Sequence, residues 1–171
     1  MVTLETIRGL YDYDRWANRR LFDVASSLPP GKVGQEIGPQ FSFPTPHGML
    51  VHILGAEVIW LTRWQGTSPT AMPSAGDFPD LPALRRRWDE QDQRIRAFIE
   101  GLGDADLARV VHYKNSQGQA FQLPLWQLMQ HVVNHSTHHR SELATMLTML
   151  GVSPPPTDLV IYHLVRSGQM A

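Results

Sequence analysis

Cysteine is absent from the 171 residues of this chain. Disulfides, thiolate metal ligands and a cysteine nucleophile are therefore excluded, and the absence is compatible with a reducing compartment. An excess of charge of one sign is also lacking, since 15 basic and 16 acidic residues give a formal net charge of −1 at pH 7. Because a nucleic-acid-binding domain normally carries a basic excess or a basic stripe, we expect no nucleic-acid partner.

Long apolar runs and leader-like segments are lacking as well. No stretch approaches the roughly 18 apolar residues of a membrane-spanning helix. The start, Met1 to Glu5, lacks the basic and apolar regions of a signal peptide. These features predict a cytoplasmic location and no membrane partner. The length and the hydrophobic fraction of 42% suffice for one packed core, so we expect a single domain over residues 1–171.

Four long helices are predicted from apolar residues at helical intervals and from the residues that bound each segment. Thr45 is a suitable N-cap, with Pro46 at the first helical position, and Asp80 is suited to cap the next helix. Gly151 is expected to end the last long helix. We place the helices at about residues 3–27, 45–64, 80–100 and 124–150.

A β-hairpin is predicted between the third and fourth helices. Residues 109–113 and 119–123 have the composition of short strands, and Asn115, Ser116 and Gly118 between them favour a turn. A short last helix is expected from about residue 157 to 165. The sequence therefore predicts an all-α fold, a four-helix bundle with a small β-hairpin before the last long helix.

Four of the eight histidines lie between residues 131 and 139 of the fourth helix. Side chains at i and i+4 leave the same face of a helix, so His135 can chelate one ion with either His131 or His139. A catalytic zinc site typically takes three protein ligands and keeps one position open, so a third ligand must come from another element. His52 is the best candidate, because it lies in a mainly apolar stretch where an uncompensated polar ring would be costly.

Less specific interpretations compete with this metal site. His52 could be an ordinary core histidine, and the cluster could be a solvated polar face. Glu57 or Asn134 could orient a ligand imidazole through its other ring nitrogen, although Glu57 is more typical of an exposed helix position. We expect His131 to line the pocket as a candidate catalytic group. We assign four tryptophans to the core rather than to a substrate platform: Trp16, Trp60, Trp64 and Trp126.

The run from His131 to Arg140 resembles the signature helix of the DinB-like family, a group of metal-dependent enzymes that includes thiol-dependent S-transferases. The segment Tyr11–Asn18 resembles the first helix of that family, and His52–Trp60 resembles its second. The match covers nearly the whole chain in the right order. One departure follows the last histidine, where the family's usual Arg-Gly-Gln is replaced by Arg140-Ser141-Glu142.

The resemblance implies a DinB-type bundle with a divalent metal ion held by His52, His135 and His139. Zinc is the first expectation, while three histidines also suit nickel, iron, cobalt or copper. The departure at residues 140–142 leaves these ligands intact. Members of the family often form dimers, so a homodimer is a further expectation.

The function that the resemblance implies is thiol transfer or thiol-dependent isomerisation of a small-molecule substrate. A low-molecular-weight thiol would bind the metal, lose its proton and attack an electrophile. The lack of cysteine is compatible, because the sulfur would arrive with the cosubstrate. The alternatives are a metal-dependent hydrolase, in which the ion activates water, and a non-catalytic metal-binding or stress-response protein.

Overall fold

The structure is a computed structural model that describes residues 2–170. Along this part of the chain it contains α1 (Leu4–Ser26), α2 (Pro46–Trp64), α3 (Leu81–Glu100), β1 (Val110–Lys114), β2 (Ala120–Pro124), α4 (Leu125–Met149) and α5 (Leu159–Arg166). The predicted arrangement of four long helices with a hairpin before the last of them is confirmed. Within residues 2–170, no helix combines the length and apolar character that a membrane crossing requires.

Side-chain caps fix the starts of α1, α2 and α3, and at α1 the hydroxyl of Thr3 accepts a hydrogen bond from the N–H of Thr6 at 3.2 Å. The hydroxyl of Thr45 accepts a hydrogen bond from the backbone N–H of Gly48 at 3.0 Å, and Pro46 occupies the first turn of α2. The carboxylate of Asp80 accepts one from the N–H of Ala83 at 2.7 Å at the start of α3. Such caps satisfy N–H groups that have no partner inside the helix, which is why these boundaries can be predicted locally.

The four long helices pack in a ring. Helix α4 contacts α1 and α2, and α3 contacts the same two helices from the other side. Two apolar cores occupy the two ends of this bundle. Between them lies a central polar layer with at least one side chain from each helix, formed by Asp14, Asn18, Glu57, Gln91 and Arg140.

Hydrogen bonds connect the central polar layer across all four helices. Arg140 donates to Asp14 and to the side-chain oxygen of Asn18, the latter at 2.9 Å. The amide of Asn18 donates to Glu57 at 3.1 Å, and Gln91 donates to the backbone oxygen of Glu57 at 3.2 Å. Glu57 is only 2% exposed, so the expectation of an exposed residue is wrong. Burial raises the pKa of its carboxyl well above the usual range.

The hairpin is antiparallel and begins one residue later than predicted. Tyr113 of β1 is opposite Phe121 of β2, and their rings are stacked at 5.8 Å. Tyr113 also contacts Trp60 of α2, with ring centroids 5.1 Å apart. The hairpin therefore places aromatic side chains beside the C-terminal half of α2.

Candidate metal centre

Three imidazoles from two helices converge beside the central polar layer. The Nε2 atom of His52 on α2 lies 3.2 Å from that of His135 and 3.1 Å from that of His139. The two α4 nitrogens are 3.1 Å apart. The spacing of His135 and His139 brings them to one face of α4, and the packing of α2 against α4 adds His52.

These separations fit a common metal ligand set. Imidazole nitrogens bind zinc at about 2.0–2.1 Å, so adjacent ligands would be about 3.3 Å apart with tetrahedral angles and about 2.9 Å apart with right angles. The distances of 3.1 to 3.2 Å lie between these two values. His52, His135 and His139 therefore present one donor atom each to a common point.

Glu142 orients one of the three imidazoles. Its Oε2 lies 2.7 Å from Nδ1 of His139, and because a carboxylate only accepts hydrogen bonds, Nδ1 carries the proton. The Oε1 atom accepts hydrogen bonds from the N–H and hydroxyl of Ser42, at 2.9 and 3.0 Å. Although burial acts to raise the pKa of Glu142, the hydrogen bonds from Ser42 and His139 hold it below its ordinary value.

The two side chains considered for orienting a ligand imidazole, those of Glu57 and Asn134, have other surroundings. Glu57 accepts from Asn18 in the central polar layer, and Asn134 is exposed. Across residues 2–170, neither side chain forms a hydrogen bond with His52, His135 or His139 in this structure. The residue that sequence analysis missed is Glu142, and its spacing of three residues from His139 was the available signal.

The surroundings keep two of the imidazoles neutral. Burial, followed by the neighbouring His139, lowers the pKa of His52 to about 4. Burial, followed by the surrounding histidines, lowers the pKa of His135 to about 3. Phe43 stacks on His52 with ring centroids 4.3 Å apart and covers one of its faces. Neutral imidazoles can donate a lone pair to a metal, so this environment suits ligands.

The other two histidines of the α4 cluster lie next to the convergence point and do not join it. The ring of His131 is 5.8 Å from that of His135 and 5.1 Å from that of Trp60. Partial desolvation, followed by the charge of Arg63, lowers the pKa of His131, although the residue remains exposed to solvent. His138 is largely exposed, and its Nε2 is 4.0 Å from Glu142.

The tryptophans divide between the core and this neighbourhood. Trp64 is only 1% exposed and belongs to one apolar core. Trp60 is half-buried, and its ring contacts the rings of both His131 and Tyr113. Trp60 therefore forms part of a wall next to the candidate metal centre as well as packing against the core.

The bundle and the converging imidazoles define a helical protein with a candidate site for one divalent metal ion. The sequence profile of the DinB family matches residues 1–169. The chain therefore belongs to the DinB family.

Relatives and solved structures agree with this assignment. The chain is 28% identical over 167 residues to the protein DinB of Bacillus subtilis (strain 168), which covers 95% of this chain and 96% of that protein. A DinB-like protein from Bacillus cereus ATCC 10987 superposes with a TM-score of 0.63 at 20% identity, covering 90% of this chain and 97% of the other. YfiT from Bacillus subtilis, described as a probable metal-dependent hydrolase with an unusual four-helix bundle topology, gives a TM-score of 0.67 at 14% identity, with coverages of 90% and 92%. The two structural likenesses support the fold.

Proposed function

We propose that this chain is a metal-dependent enzyme that transfers a low-molecular-weight thiol to a small electrophile, or uses the thiol to isomerise one. The observation that carries the proposal is the convergence of three imidazole nitrogens within 3.2 Å of one another. These three donors are uncharged when they act as ligands. When bound there, a divalent ion would keep its positive charge and lower the pKa of a coordinated thiol.

His52, His135 and His139 would hold the ion, and Glu142 would keep the ring of His139 in the tautomer whose Nε2 faces it. Zinc is the first candidate, because it is commonly bound by histidine with an open position. Nickel, iron, cobalt and copper also bind imidazole. The separations between the ligand nitrogens lie between the values for tetrahedral and right-angled coordination. They are therefore compatible with any of these five metals.

His131 is the proposed acceptor for the proton that the thiol loses. Its ring lies one helical turn from that of His135, and its lowered pKa leaves it neutral at pH 7. The thiol S–H bond breaks as a ring nitrogen of His131 takes the proton. The sulfur then forms a bond to the electrophilic carbon, and in a transfer the leaving group departs with its bonding electrons. In an isomerisation, that S–C bond breaks again after rearrangement.

A thiol panel with matched protein samples tests this proposal. Metal-loaded protein, metal-free protein and His135→Ala would be assayed with cysteine, glutathione and 2-mercaptoethanol against monochlorobimane and an aryl chloride. We expect turnover in the metal-loaded wild type alone, because the other two samples lack the ion that keeps the sulfur ionised at neutral pH. Equal rates in all three samples would contradict the proposal.

A metal-dependent hydrolase is the second candidate function. The observation that favours it is the structural likeness to YfiT, which is described as a probable metal-dependent hydrolase. The same three histidines would then hold an ion that activates water, and His131 would accept the proton of that water. Hydrolysis of p-nitrophenyl acetate by metal-loaded protein without thiol would favour this function. A non-catalytic metal-binding protein would show neither activity while retaining its ion.

A further inference from the structure

Arg63, in the last turn of α2, is a buried cation that has no carboxylate partner among residues 2–170. Arg63 is only 8% exposed, and its Nε has no hydrogen-bond partner within residues 2–170. Within residues 2–170, no carboxylate lies within 4.0 Å of its guanidinium. Arg140, which is also buried, differs because it bonds to Asp14 and Asn18.

Two aromatic rings support the Arg63 side chain. The guanidinium carbon lies 4.7 Å from the ring centroid of Trp60 and 5.4 Å from that of Tyr113. Such contacts attract the cation but use the faces of the rings and not acceptor atoms. The N–H donors of the guanidinium, a rigid planar fork that matches a carboxylate, are left available. A buried charge without a counterion is costly, and a bound anion would remove that cost.

Ring contacts connect Arg63 to the candidate metal centre. The guanidinium of Arg63 lies over the ring of Trp60, whose centroid is 5.1 Å from that of the His131 ring. The centroid of the His131 ring is in turn 5.8 Å from that of His135. Arg63 and His52 are eleven residues apart on α2, which corresponds to about 16 Å along the helix axis. A molecule reaching both ends would need several bonds between its two binding groups.

We propose that Arg63 binds a carboxylate of the small molecule whose thiol is placed at the histidine centre. The substrate class is thus an extended thiol that carries a carboxylate at its far end, with its connecting chain against Trp60. This inference rests on the proposed function for the thiol and on Arg63 itself for the carboxylate. Arg63 is a binding residue in this proposal and takes no part in the bond changes.

The carboxylate end can be tested without metal or thiol. Metal-free protein would be titrated with hexanoate and with 1-hexanol, which have the same chain length, while tryptophan fluorescence is recorded. We expect saturable binding that favours hexanoate by about tenfold or more, since a hydrogen bond to a charged group contributes about 1.5–3 kcal/mol. Arg63→Gln should lose the preference, and Arg63→Lys should keep part of it. Arg86→Gln, which removes the same charge from an exposed position of α3, should behave as wild type.

Three outcomes of this titration would overturn the inference. They are equal binding of hexanoate and hexanol, absence of saturable hexanoate binding at tens of millimolar, and a preference that persists in Arg63→Gln. If Arg63→Gln does not fold, the wild-type comparison and Arg63→Lys still decide the question, because neither depends on that variant.

A second arm links the carboxylate to the metal centre. Cobalt-loaded protein would be titrated with ω-mercaptoalkanoates of increasing length and with the matching mercaptoalcohols, following the sulfur-to-cobalt absorption band. We expect the acids to bind about tenfold more tightly than the alcohols at one favoured length. In Arg63→Gln, the acid and the alcohol of that length should bind with equal affinity. No advantage at any length would overturn the inference. If no thiol gives the band but the hexanoate preference holds, the thiol function fails and Arg63 remains an anion-binding residue.

Discussion

Glu142 accepts a hydrogen bond from Nδ1 of His139, one turn away on α4, at 2.7 Å. This contact leaves the Nε2 lone pair of His139 directed at the Nε2 atoms of His52 and His135. The other oxygen of Glu142 binds Ser42, in the segment that precedes α2. One carboxylate thus sets the tautomer of a candidate ligand and links α4 to the segment that precedes α2.

Replacing Glu142 should weaken metal binding without removing a ligand. We expect Glu142→Ala to lower zinc affinity by about 10- to 100-fold, the usual cost of losing a group that orients a ligand histidine. Glu142→Gln should lose less zinc affinity, because its single side-chain oxygen can still accept a hydrogen bond from His139 or Ser42. Competition with a chromogenic chelator would measure the affinities. Ser141→Ala, at an exposed neighbouring position, is the control, and an equal loss in that variant would contradict the role of Glu142.

The three converging histidines should each be required for the ion. We predict about one divalent ion per chain, lost in His52→Ala, His135→Ala and His139→Ala, because each removes one of three donors. His138→Ala should keep its metal, since the three converging nitrogens belong to His52, His135 and His139, and His138 is largely exposed. Elemental analysis of protein purified without a histidine tag would show this. Retention in His139→Ala together with loss in His138→Ala would mean that a different face of α4 binds the ion.

The helix boundaries and the histidine pair on α4 could be predicted because their signals are local. Thr45 and Asp80 cap their own helices, and the i, i+4 spacing of His135 and His139 needs nothing beyond helix geometry. His52 was identified because a histidine in an apolar stretch needs a reason to be there. Its pairing with α4 was supported by the family resemblance, since spacing cannot specify contacts between helices.

Residues whose partners lie on other helices were harder to predict. Glu57 was expected at the surface, but Asn18 on α1 and Gln91 on α3 provide its hydrogen bonds. No pattern within α2 reveals these partners. Arg63 and Trp60 show the same limit, because their relation to the site depends on His131 of α4 and Tyr113 of β1.

Asp92 should make stability depend on pH. Burial, only partly offset by Arg19, raises the pKa of Asp92 to about 6, against about 3.9 in the unfolded chain. The folded state therefore holds a proton that the unfolded state has released. This contribution to stability is fully present below about pH 4 and is lost as the pH rises through about 6. Asp92→Asn should become progressively more stable than wild type across that window, as measured by urea unfolding.

Asp89 provides the control for the Asp92 experiment. Both carboxylates pair with Arg19, at 2.8 Å for Asp89 and 3.4 Å for Asp92, but the side chain of Asp89 is much more exposed. Asp89→Asn should keep the direction of the wild-type pH dependence, because it retains Asp92, but with a smaller amplitude, because the charge of Asp89 contributes to the raised pKa of Asp92. If Asp92→Asn differs from wild type by the same amount at pH 4 and pH 7, the buried carboxyl is not the cause of the pH dependence.

Arg140 should contribute more to stability than a surface arginine with a similar ion pair. Arg140 is only 2% exposed, and its guanidinium donates hydrogen bonds to Asp14, Asn18 and Thr137. Arg140→Met would leave Asp14 buried without its counterion, so we expect a loss of about 3–5 kcal/mol in the free energy of unfolding. Arg85→Met, which removes the partly exposed pair with Asp23, should cost no more than about 1 kcal/mol. Urea unfolding at pH 7 would measure both.

The double variant Asp14→Leu/Arg140→Met separates the buried pair from general packing. If the loss in Arg140→Met comes from the stranded carboxylate, removing Asp14 as well should restore part of the stability, because an apolar pair can replace a buried ion pair at little cost. Asn18 and Tyr13, which also bond to Arg140, would still lose a donor, so the recovery should be incomplete. Losses that add up in the double variant would show that Asp14 and Arg140 act independently, contrary to their direct contact in the central polar layer.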